Sequence, residues 1–460
     1  MIERALQRHA TLLFGVSALL LVAIYLIVGG IYRPQNLDDG WTLSALYEYY
    51  VHGAQQDKIF GATLASGGQD GVYHFAKIQA IIYGAILDIV GWTRSAGHAV
   101  STLFVGLGAA TWGLITKRLT GRSHLAVATV ILLILSEPFF GPANQSRPEA
   151  LTFFFASAAF ALYLHDRPFL SGLFIGLAFE VHPAGLFAGL YVTSAFFAKA
   201  MKTGLKELLF SRQTALLFLG SLFGLSAYLL LHAEALSTLL QSLSESNTGI
   251  SNFLVDYFLR AKYLRHIPEL IFFVIMLGVF VRGRHWTDAQ PLVWLCVVAG
   301  SSLLVLHRGN IHYVLYLYAP LMLISLWVAD RYKKLYLTFA LCLAFFAAQY
   351  GVVYYLNRSY SFDAYSAAVK EAVPNDDLAV VGTSNDWFIF QERSFYAYTY
   401  GSAAFNAVAP SAFYLIRNDS PYASFPKDRF YENIDRTFRC SKFSAFALGE
   451  ENVQIDRCER

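Results

Sequence analysis

Between residues 10 and 356 the chain is a succession of long apolar stretches separated by short polar or basic loops. No other feature narrows the possible folds as much. A hydrocarbon core about 30 Å thick takes roughly 17–25 apolar residues in a helix. Several stretches reach that length and others fall slightly short. The shortage of charge agrees, since charged residues fill only 15% of the 460 positions against roughly 25% in soluble domains. The expected fold is therefore mainly α: a polytopic membrane helix bundle with a small extramembrane domain at its C-terminal end. A soluble globular enzyme is excluded.

Eleven spans are expected, near 10–32, 95–116, 124–141, 150–164, 168–182, 185–199, 213–232, 266–282, 289–306, 311–329 and 335–356. Residues 11–32 are too long for an h-region and lack a small-residue cleavage site, so they read as a first span rather than a cleavable signal peptide. The stretch 75–92 is apolar but contains Lys77 and Asp88. It is either a twelfth span or an amphipathic helix on the membrane surface, and the positive-inside rule decides. With 75–92 on the surface, the loops carrying Lys117/Arg118/Arg122, Arg167, Lys199/Lys202/Lys206/Arg212, Arg282/Arg284 and Arg331/Lys333/Lys334 are cytoplasmic. They hold thirteen basic residues against six in the opposite loops. A spanning 75–92 would reverse that bias, and Arg4 and Arg8 already place the N-terminus inside. The surface reading puts the long loop 33–94 and the segment 357–460 outside.

The chain thus divides into a transmembrane module over 1–356 and an external C-terminal domain over 357–460. In the latter, LAVVGT (378–383) reads as a buried strand and Asn385–Asp386 as a turn. WFIFQ (387–391) and SFYAYTY (394–400) are aromatic-rich and strand-like. A small α/β or α+β domain is expected. Cys296 and Cys342 sit inside apolar spans as packing residues. Cys440 and Cys458 lie 18 residues apart in a polar segment; they are either two thiols or, in an oxidising compartment, a disulfide. No internal repeat, zinc spacing, Walker loop, dinucleotide fingerprint or nucleophile elbow is present, and nothing points to nucleic acid.

Polar residues gather at the external span boundaries. Asn36-Leu37-Asp38-Asp39-Gly40-Trp41 comes directly after the first span. Beyond it Leu43, Leu46, Tyr47 and Tyr50 fall on one helical face. One aspartate suffices as an N-cap, so the second is left for a general base or a metal. Asn144-Gln145-Ser146-Arg147-Pro148-Glu149 places Pro148 at a helix N1 position and Glu149 at the positive end of the dipole. Arg147 suits a phosphate through its planar fork. Glu180-Val181-His182-Pro183 is a helix end broken by proline, where His182 can meet an anionic group. His307-Arg308-Gly309-Asn310-Ile311-His312 either clamps a phosphate through Arg308 and His312 or belongs to an interfacial aromatic belt with Tyr313, Tyr316 and Tyr318.

The arrangement resembles the GT-C glycosyltransferases, within them the group related to protein O-mannosyltransferases and lipid A aminoarabinose or galacturonate transferases. The likeness covers roughly residues 10–330. It rests on the acidic pair Asp38-Asp39 after the first span, Ser146-Arg147-Pro148-Glu149 opening the fourth, and His182-Pro183 ending a helix. Two juxtamembrane helices in the first external loop match 39–52 and 75–92. The resemblance implies a multi-pass protein of the bacterial inner (plasma) membrane with its active site facing the periplasm. It implies inverting transfer of a hexosyl or pentosyl group from a polyprenyl-phosphate donor to a glycan, lipid or protein acceptor. Asp38 is then the base, with Asp39 in the partner acidic place. Arg147, Glu149, His182, Arg308 and His312 are then substrate-binding. Some members use a divalent cation, so Mg or Mn held by Asp38 and Glu149 is a further expectation. Two other classes compete: a transporter or flippase of a lipid-linked or anionic substrate, and a non-catalytic scaffold. Transporters tend to carry repeats and mid-bilayer charges, which this chain lacks.

Overall fold

The computed structural model describes residues 37–53, 76–233, 267–283, 294, 296–302, 313–358, 361–397, 405, 409–418, 427–448 and 451–460. The chain runs through α1 (Leu37–His52), α2 (Lys77–Val90), α3 (Arg94–Thr120), α4 (Ser123–Leu135), α5 (Glu137–Ala143), α6 (Glu149–Leu164) and α7 (Pro168–Val181). A 3-10 turn (Pro183–Gly185) leads into α8 (Leu186–Thr203), and then come α9 (Leu205–Leu209), α10 (Arg212–Leu231), α11 (Ile267–Arg282), α12 (Val314–Arg331), α13 (Leu335–Asn357) and α14 (Phe362–Ala372). The remainder holds β1 (Ala379–Gly382), β2 (Phe395–Ala397), β3 (Ala412–Asn418), α15 (Lys427–Thr437), β4 (Arg439–Leu448) and β5 (Glu451–Glu459).

The protein is an integral membrane protein. Among the described residues five helical stretches are long and apolar enough to cross a bilayer: α3, 183–201, α10, α12 and the helix beginning at Leu335. The expected span over 124–141 is α4 and α5, two helices meeting at 62°. Ser136 causes the break: its extended backbone ends α4, and its carbonyl accepts the N–H groups of Phe139 and Phe140. The expected spans 150–164, 168–182 and 266–282 are apolar helices of fewer residues (α6, α7 and 271–282). The expected span 10–32 and most of 289–306 lie outside the described residues.

The described chain divides into two compact units. The first takes residues 101–143 and 148–350. Its central helix is α12, with 72% of its apolar window buried; α10, at 17%, is peripheral. The outer helices present Phe218, Phe223, Leu230 and Leu341 outward, a surface suited to lipid rather than water. The basic loop ends meet at one end of this unit. Arg118 Nε donates to the Leu164 carbonyl, Arg122 pairs with Asp330, and Gln213 links Lys199 to Asp166.

One helix pair in this unit is joined backbone to backbone. On α7, Gly172 and Gly176 face Gly220 and Gly224 of α10. A Cβ on Gly176 would fall 2.3 Å from the Gly224 carbonyl carbon, and one on Gly220 would fall 2.0 Å from the Phe169 oxygen. Small residues at four-residue spacing let two helices approach this closely where lipid supplies no hydrophobic drive.

The second unit takes the described residues of 37–100, 144–147 and 351–460. The first-loop helices thus pack with the C-terminal segment rather than standing with the spans. Of the four residues expected on one face of α1, Leu43 and Leu46 are in the core and Tyr47 and Tyr50 are half-buried, while Thr42, Ser44 and Ala45 are buried as well. Asp38 and Asp39 lie within its first turn and do not precede it as an N-cap. α2 falls in the stretch expected at the membrane surface and is a helix of 14 residues, about 21 Å long. Gln79, Ala80, Tyr83, Gly84 and Leu87 form its buried face, while Ile81, Ile89 and Val90 are exposed.

The C-terminal sheet has strand order β2-β1-β3-β5-β4, parallel across β2, β1 and β3 and antiparallel through β5 and β4. α15 covers one face through Phe430, Tyr431 and Ile434 against Phe413 and Leu415. Cys440 and Cys458 are opposed in the β4–β5 ladder and joined as a disulfide. LAVVGT is strand β1. WFIFQ is not a strand: Thr383 and Asp386 form a reciprocal capping box that opens a 3-10 turn over Ser384–Phe388. That local hydrogen bonding overrides the strand preference of the aromatics. β2 falls within SFYAYTY, whose last three residues lie outside the described residues.

The glycine seam gives a controlled prediction. Gly176→Ala is expected to destabilise the protein by about 1–3 kcal/mol. Gly189→Ala, whose Cβ has no neighbour nearer than 4.0 Å, is expected to leave thermal unfolding in detergent unchanged.

Candidate functional site

α1 brings both first-loop aspartates into its opening turn. The Asp38 side chain lies outside the described residues. Asp39 is wholly buried and joins three distant segments. Its Oδ2 accepts from Arg94 Nε at 3.1 Å and lies 3.0 Å from His98 Nε2. Its Oδ1 accepts from the Ser146 backbone N–H at 3.1 Å. Arg94 and His98 are one turn apart on α3, hence on one face. Burial is the largest influence on this carboxyl and drives its pKa up. His98, Arg94 and the Ser146 N–H together outweigh it and hold the pKa at about 2. So acidic a carboxyl is a poor proton acceptor near neutrality. Its geometry suits it to hold its neighbours.

The segments around this carboxylate are in close contact. A Cβ on Gly97 would fall 2.4 Å from Leu43 Cδ1 and 2.5 Å from Ser146 Oγ. Arg94 also stacks over the Phe362 ring at 5.2 Å. The next residue of α1, Gly40, donates its N–H to Asn385 Oδ1 at 3.0 Å, and a Cβ there would meet the Ser384 carbonyl at 1.9 Å. The turn it touches is held by Asp386, which accepts from the Thr383 N–H and hydroxyl and from the Tyr365 hydroxyl. Tyr47 meets Trp92 and Trp387 edge-on at 5.1 and 5.6 Å. Arg147 is the residue next to Ser146 and is half-buried, so Asp39 fixes the backbone of the Arg147 loop against the helix that carries Asp38.

In the first unit, Glu149 is the first residue of α6 and is fully buried, where the helix dipole favours a carboxylate. It lies within electrostatic reach of the Tyr316 phenol. His182 ends α7; its Nδ1 accepts from the Ala184 N–H at 3.2 Å and its ring meets Tyr313 edge-on at 5.9 Å. Tyr313 and Tyr316 are themselves 6.4 Å apart. Glu149 and His182 therefore flank one tyrosine pair. Phe187 stacks on Tyr316 at 4.4 Å. Arg308 and His312 lie outside the described residues. Among the described residues no group of three or more His, Cys, Asp or Glu could hold a metal ion. The Asp39 carboxylate, filled by Arg94, His98 and the Ser146 N–H, does not fit a cation.

No protein-family model matches the sequence, and no curated protein matches it. Solved structures do. ArnT from Cupriavidus metallidurans bound to undecaprenyl phosphate superposes with a TM-score of 0.61 at 10% identity, covering 97% of each chain. The same protein in the apo state gives 0.56 at 12% identity over 97% of each. The Archaeoglobus fulgidus oligosaccharyltransferase in the apo form gives 0.53 at 11% identity, over 87% of this chain and 69% of that one.

Replacing Asp39 tests the hub. Asp39→Asn removes the negative charge that Arg94 and His98 face and is expected to cost about 1–3 kcal/mol, read as a lower thermal midpoint. The folded pKa lies below the ordinary 3.8, so the ionised form is favoured by folding. This stabilisation is full above pH 4 and is lost as pH falls toward 2, an effect of about 2 kcal/mol. Unfolding midpoints between pH 5 and 2.5 are expected to fall more steeply in the wild type than in Asp39→Asn. The fold described is the one seen in ArnT and, over a smaller share, in the archaeal oligosaccharyltransferase.

Proposed function

We propose that this protein is a membrane glycosyltransferase that moves a sugar from a polyprenyl-phosphate donor to an acceptor on the non-cytoplasmic face, with inversion. The observation that carries this reading is the fold likeness, over 97% of both chains, to ArnT bound to undecaprenyl phosphate. The acceptor is a glycan, lipid or protein, and the sugar a hexose or pentose. The Cys440–Cys458 disulfide supports an oxidising compartment such as the periplasm. The basic loop ends gathered at one end of the first unit support a cytoplasmic assignment for that end. Eleven spans remain the full count consistent with that sidedness.

In this reading Asp38 accepts the acceptor hydroxyl proton. The acceptor oxygen bonds to the anomeric carbon as the bond from that carbon to the phosphate oxygen breaks. The electron pair leaves with the polyprenyl phosphate. Asp39 is a positioning residue that keeps α1, the start of α3 and the Arg147 loop in register. Arg147 offers its fork to the growing negative charge on phosphate. His182, protonated at Nε2 because Nδ1 accepts from Ala184, donates to a phosphate oxygen. Arg308 and His312 add cationic character, and Glu149 orients substrate hydroxyls.

The test is sugar transfer from an undecaprenyl-phosphate-linked sugar by the purified full chain. Asp38→Asn is expected to lower the rate about 10²–10⁴-fold with an unchanged unfolding midpoint. Arg147→Lys, keeping charge but losing the fork, is expected to retain part of it. Unimpaired transfer by Asp38→Asn would remove the base assignment.

A further inference from the structure

The α7–α10 seam ends in a polar contact that the proposed transfer does not use. Gly172, Gly176 and Glu180 recur every four residues on α7, and Gly220, Gly224, Tyr228 and His232 do so from α10 into its C-cap. Glu180 and His232 are both fully buried, and their Oε1 and Nε2 atoms lie 2.9 Å apart. The His232 ring stacks on Tyr228 at 4.8 Å, and its Nδ1 makes no hydrogen bond among the described residues. The imidazole is thus held at one nitrogen by Glu180 and on one face by Tyr228. A carboxyl and an imidazole among apolar helices are costly. A buried polar pair does what apolar packing does not: a directional bond accepts one axial register, whereas glycine surfaces can slide.

The register that this bond selects carries through to the end of α7 and the turn beyond it. Two residues past Glu180, α7 ends at His182 in extended conformation and the chain turns through Pro183–Gly185. That turn is seated on the last turn of α7: a Cβ on Gly185 would lie 2.3 Å from the Ala178 carbonyl carbon. His182 is tied to the turn through Ala184 and rests on Tyr313. The position of its Nε2–H is therefore set by the end of α7.

We propose that Glu180 and His232 form a positioning pair that sets the register of α7 against α10 and so aims the His182 Nε2–H at the phosphate of a polyprenyl-phosphate ligand. The proposal rests on the transferase reading and adds the residues that build its phosphate contact. Losing a hydrogen bond to a charged phosphate at such a contact costs roughly one to two orders of magnitude in affinity.

The experiment measures binding of undecaprenyl phosphate to the detergent-solubilised full chain, with the unfolding midpoint recorded for every variant. The double variant Glu180→Leu/His232→Leu replaces the pair by apolar packing, which is often neutral for stability. It is expected to keep the midpoint and bind roughly tenfold more weakly. In a His182→Ala background the same pair of changes is expected to add nothing further. Glu180→Gln, which keeps an acceptor for Nε2, is expected to restore most of the affinity and serves should the double variant not fold. Wild-type affinity in the double variant, or an equal loss with and without His182, overturns the positioning role and leaves the transferase reading standing. Absence of binding by the unaltered chain overturns both.

Discussion

A carboxylate with no access to water must find its compensation inside the protein, and Asp39 finds it from three directions. Arg94 and His98 supply cationic character from α3, and Ser146 supplies a backbone N–H. The arrangement ties together segments as far apart as 107 residues in sequence. The opening of α1, the start of α3 and the loop before α6 are thereby one rigid assembly. Asp38 and Arg147 are each one residue away from a member of it.

The C-terminal segment belongs to the same unit. Gly40 sits against the Ser384–Phe388 turn without room for a side chain, and its N–H is taken by Asn385. Asp386, Tyr365 and Thr383 hold that turn in place. Tyr47, Trp92 and Trp387 close the contact with aromatic edges. A sheet packed through Phe413 and Leu415 against Ile434 of α15 thus delivers one turn to the residue next to the candidate acid pair, which gives this domain a direct influence on how α1 is presented.

Much of this was legible from residue order. Apolar length and basic loops indicate a helical membrane protein, and the charge bias favours the surface for 75–92, a stretch that forms a 14-residue helix. Asp38-Asp39, Arg147 and His182 were singled out by standing at span boundaries. Less legible were features that depend on pairing across long separations. Arg94 and His98 are a four-residue pair at the mouth of a span, a signal readable only once Asp39 was known to need partners. His232 at the end of α10 matches Glu180 at the end of α7 only when the glycine spacing of both helices is aligned. WFIFQ was misread because aromatic content outweighed the Thr383/Asp386 capping box beside it. Eleven spans were counted from hydropathy, whereas the helices over 149–164 and 168–181 are short. Pro148 precedes the first, and the second ends at the extended His182 before Pro183.

The proposed function requires the protein to consume a polyprenyl-phosphate-linked sugar. The most direct measurement is mass spectrometry of lipid-linked sugars and envelope glycans in cells with and without the gene. The account requires that its loss removes one sugar from one class of acceptor while the corresponding polyprenyl-phosphate sugar accumulates, both reversed on restoration. Unchanged pools and unchanged glycans in the absence of the gene would contradict it.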